Sequence, residues 1–417
     1  MSVRGLADII ELEQRLDAGD LFGVDIGAYK HAAAVCRQGE REAERKALKI
    51  SANRQGFEEL EAWMARQPEP VGMVVMESSG HYWFNLASHL RRRGYEVAVV
   101  NPLEAKYFAK SRLQRSKSDP ADARTLAALG MRDQPRTSDP LVGAELKQAS
   151  RFAMRLVREQ AQACQRIQRL VDIGFPELRE AWDDPTCMSA LAVLRKAPSA
   201  KAVVWLRLDT LAKVKRPGDG ARAIGAAKAT QLKQLATESV AAPELEAQVT
   251  FEMQVLISQY DLYEQQIAAA EKNLQSLLDG ETARRLLTIP GVGPATAATL
   301  MAEIGDIWRF EDVDQLLAYA GVHPKEQSSG KKGANPETSW TMAKTGNAYL
   351  RAAAYRMAVV GIQHNPIIRE HYARKRAAGK SAMNAVGHCM SKSLSLVWGV
   401  WRGGKDFDPT NRPGLRT

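Results

Sequence analysis

Cysteine is scarce in this chain. Its four copies, Cys36, Cys164, Cys187 and Cys389, form no CxxC pair and have no Cys/His ligand spacing. That excludes a disulfide framework and a zinc finger, and a reducing cytoplasm is the expected compartment. Also missing are a run of about eighteen apolar residues and a basic, apolar, small-residue leader at the amino terminus, so neither a membrane-spanning nor a secreted protein is expected. Acidic residues are the minority charge, 48 against 58 Lys and Arg, for a net charge of +10. Such an excess suits a polyanionic partner, because clustered cations bind phosphate and release its condensed counterions. By itself the excess is weak evidence, since many basic proteins never touch nucleic acid. With 45% hydrophobic and 25% charged residues in 417, the chain can bury real cores and should form two or three domains.

Three zones follow one another. From Leu21 to about Gly130, short β-rich runs alternate with amphipathic helices: LFGVDIG, HAAAVCRQ, a helix near FEELEAWMARQ, the buried strand VGMVVMES, the helix HYWFNLASHLRRR, the strand YEVAVVN and a helix from about Ala121. This is an α/β layer architecture. From about Leu141 to Gly280 nearly everything reads as helix. Its last segment carries a heptad seam through Val249, Met253, Leu256, Tyr260, Tyr263, Ile267, Ala270, Leu274 and Leu277. The seam needs a partner helix, either the segment near 142–171 of the same chain or a second subunit. A compact helical zone runs from Glu281 to about Trp401, followed by a Gly/Pro/Arg tail.

Four carboxylates in the first zone stand where strands end and helices begin. Asp25 lies in FGVDIG, Glu77 closes VGMVVMES, and Asp119 and Asp122 share one helix face in SDPADARTLA. Polar groups at such strand ends converge on one crevice. Clustered carboxylates repel one another unless cations lie between them, so the pattern predicts two Mg²⁺ or Mn²⁺ ions suited to phosphodiester displacement. Asp119 alone could simply cap its helix beside Pro120. Just before the aspartate pair, Lys106, Lys110, Arg112, Arg115 and Lys117 would make a basic rim that draws a phosphate backbone toward an acidic pocket. A solvated helix face is the plainer reading of that run.

The third zone opens on LLTIPGVGPATAATLMAEIG. Its Gly291 and Gly293 would let a turn lie against phosphates at a helix amino terminus, as in a helix-hairpin-helix element; a hairpin that only packs the domain is the alternative. Further on, EQSSGKKG sets Ser328 and Ser329 beside a glycine, Lys331 and Lys332, and KTGNAYLR places Lys344, Asn347 and Arg351 at the start of a basic helix. A serine attacks phosphorus when it is exposed, loses its proton and faces a neutralised phosphate. By itself SSGKKG reads as a solvated turn.

VDIG, VVMESSG, VVNPLEAKYFAKS, SDPADARTLA, LLTIPGVGPATA, LAYAGVHPKEQSSG and KTGNAYLRAAAY occur in one order, and over about residues 20 to 401 the sequence resembles the insertion-sequence "one-ten" family of DEDD transposases, whose elements encode a structured bridge RNA. The resemblance implies an RNase H-like, RuvC-like amino-terminal domain over 20–140 and a helical, coiled-coil region over 141–280. It further implies a helical carboxy-terminal transposase domain over 281–401, with 402–417 as a tail. It assigns Asp25, Glu77, Asp119 and Asp122 as metal ligands and catalytic residues, and Ser329 as the nucleophile, with Ser328 as the alternative. The expected function is a recombinase that cuts, exchanges and rejoins DNA under guidance from a bridge RNA, working as a homo-oligomer, dimer or tetramer. Lys331, Lys332, Lys344, Asn347 and Arg351 would contact phosphates. The rival readings are a metal-dependent structure-specific nuclease resembling a Holliday-junction resolvase, and a non-catalytic nucleic-acid-binding protein.

Overall fold

The structure, a computed structural model, describes residues 19–78, 80–112, 118–133, 141–215, 222–327, 339–343 and 345–410. The chain divides into two compact units, Met1–Glu145 and Leu146–Thr417.

The first unit is built on a five-stranded sheet in the order β3-β2-β1-β4-β5, with β1 Asp20–Ile26, β2 Lys30–Cys36, β3 Leu48–Ser51, β4 Val71–Glu77 and β5 Val97–Val100. β1, β2 and β3 pair antiparallel, whereas β4 and β5 run parallel to β1. Helices α1 Arg54–Met64 and α2 Trp83–Arg92 connect β3 to β4 and β4 to β5; α3 Pro102–Ser111 and α4 Asp119–Asp133 follow. Alternation along each strand divides the side chains between two faces. Phe22, Val24, Val74 and Met76 pack with Leu60 and Met64 of α1 and Leu86 and Leu90 of α2. Leu21, Met73 and Val75 pack on the other face with Phe108 of α3 and Leu126 and Leu129 of α4. The central strands are covered on both sides, which is why they read as nearly unbroken apolar runs.

One strand, β3, was not foreseen from the sequence, and the basic run, whose plainer reading was a helix face, is helical over its first part. β3 is a four-residue strand with only Ile50 fully buried, too short to show a period. The basic stretch after β5 folds as helix α3, capped by Asn101, whose side chain accepts from the Leu103 amide at 2.9 Å, with Pro102 in the first turn.

In the second unit the long helices are α5 Ala144–Gly174 and α11 Glu246–Leu277. Between them lie α6 Leu178–Ala181, α7 Met188–Lys196, α8 Ala200–Trp205, α9 Leu208–Ala212 and α10 Gly225–Thr237. Of the two partners open to the heptad seam, the structure supplies the intramolecular one. Val249, Met253 and Leu256 pack with Ile167, Leu170 and Val171, and Ala270 and Leu274 pack with Ala153 and Leu156. The early end of α11 thus meets the late end of α5, an antiparallel pair. The rest of the unit comprises α12 Gly280–Leu287, α13 Pro294–Ile304, α14 Val313–Ala320, the two-stranded β6 Pro324–Gln327 and β7 Ser339–Met342, α15 Ala348–His364, α16 Pro366–Ala377 and α17 Ala382–Gly403. α12 to α17 share a second core around Leu300, Leu316, Leu350, Met357 and Leu394.

Candidate active site

Gly23 explains how the carboxylates come together. A Cβ there would lie 2.2 Å from both the Ala123 carbonyl oxygen and the Ala127 amide nitrogen. Only glycine lets the backbone of α4 lie directly on β1. Asp25 is two residues further along, so its side chain points to the same α4 face. In the β1/β4 register Val24 stands opposite Met76. Glu77 follows on the parallel neighbour, on the face of Met73 and Val75, which is also the α4 face. Asp119 and Asp122 occupy the first turn of α4. The Ser118 carbonyl accepts from the Ala121 and Asp122 amides at 2.8 and 2.9 Å, so Ser118 stands at the cap position and Asp119 lies inside the helix. The capping role that Asp119 could have had therefore does not describe its place in the backbone.

The electrostatics agree with this placement. Burial, then the charges of Asp122, Asp119 and Glu77, push the Asp25 carboxyl up to about 6. Only the Ile26 backbone hydrogen bond works in the other direction. Asp25 thus feels three further carboxylates, and oxygen donors of this kind are the hard ligands that suit Mg²⁺ or Mn²⁺. Among the described residues no three Asp, Glu, His or Cys side chains are drawn tightly enough together to ligate one ion. The four carboxylates share a field without closing into a cage.

The expected basic rim is only partly open. Lys106 and Lys110 are exposed one turn apart on α3. Arg112 is instead tied to a loop, donating to the Arg41 carbonyl at 2.8 Å and pairing with Glu42 at 3.1 Å. Arg115 and Lys117 lie outside the described residues.

In the second unit, α12 and α13 flank the glycine turn, and Gly291 has φ of +100°, in the region that favours glycine. A Cβ there would also come within 3.3 Å of the Gly361 amide of α15. Its backbone conformation and its close approach to α15 both call for glycine at 291. Gly293 is exposed, with open space around it, and stands at the amino terminus of α13. Asn347 caps α15 through the Tyr349 and Leu350 amides, both 3.0 Å, and donates to Glu303 at 2.7 Å. Arg351 is half-buried and donates to the Ala320 carbonyl at 3.2 Å. Both residues are engaged within the fold, because this helix start is buried against α14. Ser328, Ser329, Lys331, Lys332 and Lys344 lie outside the described residues.

Sequence reasoning missed the buried Glu303 and its partner Arg151. The glutamate standing alone in the apolar run ATAATLMAEIG was the available signal.

A family model described as Transposase, of the IS110 DEDD type, matches residues 22–176, from β1 through α5. A second, described as Transposase IS116/IS110/IS902 family, matches residues 283–373, from α12 into α16. Fold and matches together define a transposase. The chain is 28% identical over 362 residues to the mini-circle putative transposase for IS117 of Streptomyces coelicolor, covering 81% of this chain and 83% of that protein. It is 24% identical over 360 residues to the pilin gene-inverting protein of Moraxella bovis, covering 85% and 88%. With the 43.6 kDa protein of insertion element IS110 from S. coelicolor it shares 26% identity over 415 residues, covering 96% and 98%. The chain belongs to the IS110 family of DEDD transposases. Among the described residues no helix is long and apolar enough to cross a membrane.

Proposed function

We infer that this transposase is a DNA recombinase that cleaves, exchanges and rejoins strands to insert or excise a mobile element, with its targets chosen by a bridge RNA. The observation that carries the reading is Asp25 at the carboxyl end of β1, raised to about 6 by burial, by Asp122 and Asp119 in the first turn of α4 and by Glu77 at the end of β4. The strand order 3-2-1-4-5, with its first three strands antiparallel and the last two parallel, supports an RNase H-like, RuvC-like domain over 20–140. The helical region 141–280, the carboxy-terminal domain 281–401 and the tail 402–417 complete the proposed division. An exposed apolar stripe on α11, Phe251, Val255 and Leu262, supports a homo-oligomer.

In this reading Asp25, Glu77, Asp119 and Asp122 hold two divalent ions. Bound there, such ions supply Lewis acidity to a scissile phosphate. Lys106 and Lys110 steer the backbone toward the acidic pocket. The Ser329 hydroxyl oxygen bonds to phosphorus as the bond to the departing sugar oxygen breaks, so the phosphoester is conserved and resealing needs no ATP. Lys331, Lys332 and Lys344 neutralise the phosphate, and Ser328 is the alternative nucleophile. No base-reading zinc finger occurs in the sequence, which fits target choice by RNA pairing.

Asp119→Ala and Glu77→Ala should abolish strand cleavage while leaving RNA binding intact. Ser329→Ala should bind nucleic acid yet give no covalent protein–DNA adduct. Cleavage by Ser329→Ala at the wild-type rate would support the water-attack nuclease instead, a reading that the carboxylate cluster alone also permits. Recoding the RNA should redirect insertion.

A further inference from the structure

The second family match stops at residue 373, inside α16. The chain then continues through the rest of that helix and a short turn into α17. On α16, His371, Arg374 and Lys375 are spaced i, i+3 and i+4, and on α17 His388 and Lys392 are spaced i and i+4, so each set lies on one helix face. The two helices pack on each other, and the two faces act on each other. His371 is influenced by Arg374, Lys375, Lys392 and His388, His388 by Lys375 and Lys380, and Lys392 by Arg374. The Arg374 guanidinium lies 2.9 Å from Nδ1 of His371; with that nitrogen accepting, Nε2 of the ring is left as a donor.

This is unlike a solvated charge run. His371, Lys375, His388 and Lys392 are all half-buried. Burial, reinforced by the surrounding cations, lowers His388 and Lys392 and takes His371 down to about 4. Among the described residues, the charged groups that act on His388 and Lys392 are Lys375, Lys380 and Arg374. Half-buried cations set against one another are stabilised when an anion joins them from outside. A phosphodiester backbone supplies a row of such anions, and Lys, Arg and imidazole N–H are the groups that contact it.

We propose that the α16–α17 hairpin is a backbone clamp for duplex DNA, with Arg374, Lys375, Lys380 and Lys392 on phosphates and His371 and His388 donating hydrogen bonds. DNA is favoured over RNA because the chain belongs to a transposase family and aligns with a gene-inverting protein. The proposal rests on the chain acting on DNA. It is independent of the carboxylate and serine chemistry, because its test measures binding alone.

The full chain carrying Lys375→Gln, Lys380→Gln and Lys392→Gln is compared with a control carrying Lys196→Gln, Lys201→Gln and Lys272→Gln, three exposed lysines on α7, α8 and α11. Affinity for a DNA duplex of arbitrary sequence, and for an RNA duplex of equal length, is measured across a salt series. The clamp variant should bind DNA roughly tenfold or more weakly, and its log–log salt slope should fall by about 2–3 relative to wild type, with less change in the control. Equal losses in both triple variants would overturn the proposal, and a loss confined to RNA would overturn the assignment to DNA. If thermal unfolding shows the clamp variant misfolded, Lys380→Gln alone, at the exposed turn, should still lower the slope by about 1, and an unchanged slope would count against the clamp.

Discussion

Arg151 and Glu303 hold each other through two hydrogen bonds, Nε to Oε1 at 2.7 Å and Nη2 to Oε2 at 2.9 Å. The Glu303 side chain is 0% exposed and Arg151 36%. The same carboxylate accepts from Asn347 at 2.7 Å. One buried charge therefore ties α5 and α13 to the start of α15.

Removing that charge strands the guanidinium. Glu303→Gln should destabilise the second unit by about 3 kcal/mol, at the low end for broken buried pairs because Arg151 keeps some water. Urea unfolding with a signal from the second unit measures it, and a loss near zero would show the pair to be dispensable.

The pair also sets an acid limb. Burial pushes the Glu303 carboxyl up, but hydrogen bonds from Arg151 and Asn347 outweigh it and hold the group below its ordinary value of 4.5. Its stabilisation is therefore present above the unfolded value and is lost as pH falls through the folded one. Melting temperatures of wild type and Glu303→Gln should converge as pH drops below about 4.5.

Asp25 behaves in the opposite sense. Its folded value, about 6, lies above the ordinary 3.8. Its contribution is fully present below 3.8 and is lost as pH rises through about 6. In chelator at neutral pH, Asp25→Asn should therefore melt a few degrees above wild type, and the gap should close toward pH 4. Added Mg²⁺ should raise the wild-type melting temperature and leave the variant unmoved. A wild type that ignores Mg²⁺ would count against the metal site.

The two hairpin glycines should separate packing from binding. Gly291→Ala puts a Cβ at φ of +100° and close against α15, and should destabilise the second unit by about 1–3 kcal/mol. Gly293→Ala, at φ of −92° with open space around it, should leave the melting temperature within about a degree. Any change in its DNA affinity would then report a phosphate contact at that turn.

Short-range signals made much of the first unit legible. Apolar runs such as VGMVVMES mark buried strands whatever surrounds them, and DPAD at a helix start brings two carboxylates onto one face because the helical period does so anywhere. The heptad of α11 likewise announced a seam, since periodicity is local. What covers a seam is a long-range matter: the cover is α5, brought back antiparallel through the intervening helices.

Residue type and spacing alone thus determined that Asp25, Glu77, Asp119 and Asp122 stand at element ends, and that the chain carries the motifs of an IS110-type transposase. Tertiary structure decided what those positions feel. The close approach of α4 at Gly23 brings the aspartate pair to Asp25, and burial by that packing, added to the neighbouring charges, raises the Asp25 carboxyl. Packing likewise committed Asn347 to Glu303 and Arg112 to Glu42, and gathered His371, His388 and Lys392 from two helices. Charge–charge energies depend on distance and desolvation, and neither quantity exists until separate segments meet.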